Sequence, residues 1–132
     1  MDPTRSDVVR VRAGNVRVPH EEFLTVWDEA RRREADGTDS DWYAGAVAQT
    51  CRWLAAVPMR TALCGGLPRS PVTQRACVAR EELIEAEWRA AQQEQFAPNL
   101  AARPGWGDGV RATFRWAWGL DGPPPIEVPP VR

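Results

Sequence analysis

The sequence predicts a mainly α protein, an α+β arrangement in which an N-terminal β-hairpin packs on a small bundle of about four helices ahead of a proline-rich C-terminal tail. Three observations predict it. Valines alternate with arginines near the start, apolar residues recur at intervals of three and four through most of the chain, and prolines crowd its last ten residues. At 132 residues the chain has the size of one domain, here residues 1–120, with residues 121–132 as the tail.

The alternation places Val9, Val11, Val16 and Val18 on one face, with Arg10, Arg12 and Arg17 between them. Ala13-Gly14-Asn15 supplies residues that tolerate positive φ, so a hairpin is expected over residues 8–18. A lone hairpin is marginal and must lie on helices. The first of these is expected over residues 20–35, where Phe23, Val26, Trp27 and Ala30 form a stripe. Pro19 suits its start, Glu21 and Glu22 favour its N-terminal dipole, Arg31 to Arg33 its C-terminal end, and Asp36-Gly37 closes it.

Asp39 or Ser40 is a suitable cap for a second helix over residues 41–57, whose stripe is Tyr43, Val47, Cys51 and Leu54 and which Pro58 stops. A loop follows over residues 58–69. Ser70-Pro71 then reads as a helix start, and Val72, Ala76, Ala79, Leu83, Ala86 and Ala90 predict a long helix over residues 71–95. Its seam would pack on a neighbouring helix or on a second copy of the chain. Trp106, Val110, Phe114 and Ala117 mark a fourth helix over residues 105–118, stopped by Gly119. The prolines at 123–125 and 129–130 favour polyproline II, with Ile126 or Val128 packing on the body.

Composition limits the function. Seventeen basic residues, all arginine, face eighteen acidic ones, and a net charge of −1 lacks the signature of a dedicated nucleic-acid or membrane-surface binder. The neutrality is uneven. Between Asp41 and Glu81 there is no acidic residue, while Arg52, Arg60, Arg69, Arg75 and Arg80 fall inside. Arg60, Arg69, Ser70, Arg75 and Arg80 thus form a candidate anion or nucleic-acid site at a helix start, against the plainer expectation of internal ion pairs.

The chain is also tryptophan-rich, with seven. Trp116 and Trp118 are two apart on a helix and point to nearly opposite sides, so at least one is expected to be exposed or to meet a partner. Arg111 and Arg115 lie a turn or two away, at cation–π range, and complete a candidate protein-binding surface. Nothing converges on catalysis. His20 is the lone histidine at a helix start, Cys51, Cys64 and Cys77 lack metal-knuckle spacing, and Cys64 with His20 makes only a remote nucleophile pair. Gly105-Trp106-Gly107-Asp108-Gly109 lacks the spacing and the lysine of a phosphate loop and suits a tight turn under Trp106. No cofactor or metal is expected. The first thirty residues carry charges and no apolar core of a signal, and three cysteines suit reduced thiols, so a cytoplasmic protein off the membrane is expected.

Cys51-Arg52-Trp53-Leu54-Ala55, Ser70-Pro71-Val72-Thr73, Glu81 to Glu87, Arg103-Pro104-Gly105-Trp106 and Thr113 to Trp118 resemble a set of short uncharacterised actinobacterial proteins over residues 41–128. That set has no assigned activity. The resemblance implies a GC-rich bacterial origin, in keeping with arginine in place of lysine, and no residue roles. The function expected from the residues is a small non-catalytic accessory or interaction protein that binds another protein through Trp116, Trp118, Arg111 and Arg115. Nucleic-acid or phosphate-anion binding ranks second.

Overall fold

The computed structural model describes residues 15–36, 42–55, 70–73, 79, 81–93 and 103–128. Among these, four helices form a bundle: α1 (His20–Asp36), α2 (Tyr43–Ala55), α3 (Glu81–Gln92) and α4 (Trp106–Ala117). The second helix is central. Ten of its thirteen residues are buried, and α4 and α1 pack against it while α3 lies on α4.

The α1 stripe of Phe23, Val26, Trp27 and Ala30 is buried as its spacing dictates. Pro19 stands just before the helix, its carbonyl accepting the Phe23 N–H at 3.0 Å. Glu29 is buried on the same helix because Arg32 and Arg33 both reach its carboxylate at 3.0 Å. That neutralises a charge which would otherwise be costly to bury.

Small residues let α2 and α4 approach closely. A Cβ at Gly109 would stand 2.7 Å from the Tyr43 carbonyl oxygen and 2.8 Å from the Ala46 Cβ, so glycine is what the crossing admits. The end of α4 is a Schellman turn: the Leu120 N–H donates to the Arg115 carbonyl at 2.8 Å and the Gly119 N–H to Trp116 at 3.3 Å. Gly119 has φ of 74°, the left-handed conformation this turn requires.

Two expectations are corrected. No strand occurs among the described residues, and Asn15 to Val18, the second arm of the expected hairpin, form a turn and irregular chain; residues 8–14 lie outside the description. The alternation of Val16 and Val18 does mark packing, but onto helices. Val16 is buried and Val18 lies partly buried against the same core, while the Arg17 N–H donates to the Ala117 carbonyl at 2.7 Å. A carbonyl at the end of α4 takes the place of a partner strand.

The second correction concerns the helix expected over residues 71–95. Pro71 to Thr73 form a turn, Ala79 is buried outside any helix, and α3 begins at Glu81. Glu87 explains the turn: its carboxylate accepts the Val72 and Thr73 N–H groups at 2.8 and 3.0 Å and the Thr73 hydroxyl at 2.6 Å. Backbone donors held by a side chain need no helix to satisfy them. The core face of α3 is Ile84, Glu87 and Ala91, while Ala86 is exposed, so the expected seam for self-association is not one helical stripe.

The tail closes over the bundle. Ile126 is buried, the Tyr43 hydroxyl donates to the Pro125 carbonyl at 2.7 Å, and Arg33 donates to the Glu127 carbonyl at 2.6 Å.

Candidate functional site

The four residues of the expected partner surface do not share one face. Trp116 is 3% exposed, stacks on Phe23 with ring centroids 6.0 Å apart and donates its indole N–H to Glu22 at 3.4 Å. It is a core residue, and this corrects its place on an exposed surface. Trp118 is half-buried, and the cation above it is Arg17, 4.5 Å from the ring centroid, in place of Arg111 or Arg115. Trp118 lies just past the last residue of α4, Ala117, so the two tryptophans do not share one helix. Alpha-helical α4 is simply packed on more than one side.

Arg111 and Arg115 are brought together elsewhere. They line a groove of about 470 Å³ between α3 and α4, with Trp88 and Gln92 on one wall and Asp108 and Ala112 on the other. Arg111 pairs with Asp108 and donates to the Ala91 carbonyl at 2.8 Å, satisfying one of the terminal carbonyls of α3. Arg115 is exposed and has no carboxylate partner among the described residues. The Trp88 ring stands edge-on to Phe114, at 89° and 6.4 Å between centroids, so the core fixes the groove wall. The sequence pointed to the two arginines as cation–π partners of Trp116 and Trp118, a role neither takes with Trp118, whose cation is Arg17. Sequence reasoning missed Trp88, which comes from another helix.

A further aromatic feature escaped the sequence. Trp42 is 49% exposed and meets Trp106 edge-on, with Arg103 over both rings at 5.4 and 5.0 Å from their centroids. The Trp42 N–H donates to Pro104 at 2.8 Å and the Trp106 indole to Pro71 at 2.6 Å, so this corner locks the start of α4 to α2 and to the 70–73 turn. Gly105, with φ of 87°, permits that entry. Of the glycine-rich stretch, Gly105 thus makes the turn, while Trp106 to Gly109 form the first turn of α4. A second, smaller groove of about 320 Å³ lies between α1 and the tail, lined by Glu22, Thr25, Val26, Pro124 and Val128.

Of the candidate anion site, Arg60, Arg69, Arg75 and Arg80 lie outside the described residues. Ser70 is buried, within 3.0 Å of the Thr73 hydroxyl. It therefore serves the turn and presents no helix N-terminus. Cys64 and Cys77 also lie outside the description. Cys51 is a buried free thiol on α2, and burial pushes its pKa up, which suppresses the thiolate that nucleophilic or metal chemistry needs. Among the described residues no three His, Cys, Asp or Glu side chains are placed to hold a metal ion, and no helix is long and apolar enough to cross a membrane. Compared with known proteins, the chain matches no family model, no curated protein and no solved structure.

Proposed function

We propose that this chain is a small non-catalytic interaction protein that docks a partner protein in the groove between α3 and α4. The observation that carries this reading is the composition of that groove: Trp88 and Ala112 supply apolar wall beside the exposed guanidinium of Arg115. Aromatic and arginine side chains are the groups enriched where a few residues dominate binding. Trp118, under Arg17, lies outside the groove-lining set, and Trp116 belongs to the core, so Trp88 takes the role first expected of that pair.

The test is site-specific photo-crosslinking in the source cells. A photoreactive residue in place of Ala112 is expected to give one discrete adduct with another protein, lost when Arg115→Glu is added. The same residue in place of Asp36, exposed at the far end of α1, is expected to give none. No adduct at 112, or the same adduct from both positions, would overturn the proposal.

A further inference from the structure

The groove's two arginines differ, and the difference names the chemistry of the partner; this inference rests on the reading of the groove as a docking site. Arg111 is fastened by the Ala91 carbonyl and by Asp108, whose charge it neutralises. Arg115, one turn further along α4, is held only at its root. Its carbonyl accepts the Leu120 and Gly122 N–H groups at 2.8 and 3.2 Å, while the residue is exposed at the groove with no carboxylate partner among the described residues. A rigid backbone thus presents an uncommitted planar fork. Of the charges lining the groove, Asp108 cancels Arg111 and Arg115 remains as the net charge.

We propose that the groove takes an acidic segment of a partner protein, with a Glu or Asp carboxylate on Arg115 and an adjacent aromatic or aliphatic side chain against Trp88 and Ala112. The guanidinium fork matches a carboxylate through two parallel N–H donors. The apolar wall contributes by burial, and at about 470 Å³ the groove has the size of a ligand cleft, within the span of about 300–1,000 Å³.

The test titrates isotopically labelled full-length protein with an N-acetylated, C-amidated Leu-Glu-Phe peptide, its Leu-Gln-Phe counterpart and a deoxythymidine dinucleotide, following the Trp88 indole and Ala112 amide signals. The Glu peptide is expected to shift both signals saturably and to bind about three- to fivefold more tightly than the Gln peptide at low salt, the scale of one exposed charge pair. Arg115→Gln is expected to make the two peptides equal while the other tryptophan signals stay in place. Equal binding of both peptides to the native protein would overturn the acidic partner and leave the groove as a docking site. No shift at Trp88 with either peptide would overturn both readings, and tighter binding of the dinucleotide would assign the surface to nucleic acid.

Discussion

Along α4, Gly109, Val110 and Phe114 sit sealed against neighbours, whereas Asp108, Arg111, Ala112 and Arg115 line an open groove. One helix therefore carries a face where shape is decisive and a face where charge is. On the first, a single added carbon meets atoms closer than 3 Å. On the second, an arginine tip can be exchanged without touching the core. The side chains of Arg111 and Arg115 repeat the contrast within the groove, since the first closes the end of α3 and the second pairs with no carboxylate among the described residues.

Substitutions should separate the two faces. Phe114, fully buried between the Trp53 and Trp88 rings, heads the scale: Phe114→Ala is expected to cost about 3–5 kcal/mol in urea unfolding. A loss under 1 kcal/mol would mean that the sealed face is not sealed. Next comes Asn15, whose side-chain amide donates to the Leu54 and Ala79 carbonyls, each at 3.0 Å. Asn15→Ala leaves both carbonyls without that donor and is expected to cost about 2 kcal/mol. Gly109→Ala sets two effects against each other, because alanine favours a helix by about 1 kcal/mol while overpacking costs about 1–3 kcal/mol. With backbone as the obstructing group the clash should win, and a raised melting temperature would show that α2 and α4 can separate more easily than their packing implies. At the bottom of the scale, Arg115→Gln should change stability by no more than about 0.5 kcal/mol, as for exposed positions without a structural partner. Larger destabilisation would place Arg115 with the sealed face.

Helices α1, α2 and α4 were legible because each carries its own apolar period and its own stop, such as Gly119 after α4. The start of α3 was not. Val72 and Ala79 keep helical spacing yet are buried, the first from a turn and the second outside any helix, and the competing carboxylate, Glu87, is fourteen residues or more away from the N–H groups it takes. Alternation among the valines correctly signalled packing at Val16 but could not say whether a strand or a helix end would receive it. Asn15 was read as a turn residue, although its side chain bridges positions 54 and 79, a link that local pattern does not encode. The site divides likewise. Arg111 and Arg115 share a groove through their spacing of four, while Trp88 joins them through the packing of α3 on α4 and Trp116 is lost to the core through Phe23.

Cys51 sits with no exposed surface in the most enclosed helix, and its thiol is held in the protonated form by burial. Such a sulfur reacts with a thiol reagent only during those moments when the bundle opens around α2, so its modification rate follows the opening equilibrium. The residue is therefore a built-in gauge of opening. In a chain whose Cys64 and Cys77 are replaced by serine, the half-life of that single thiol would report what fraction of the time the bundle stands open.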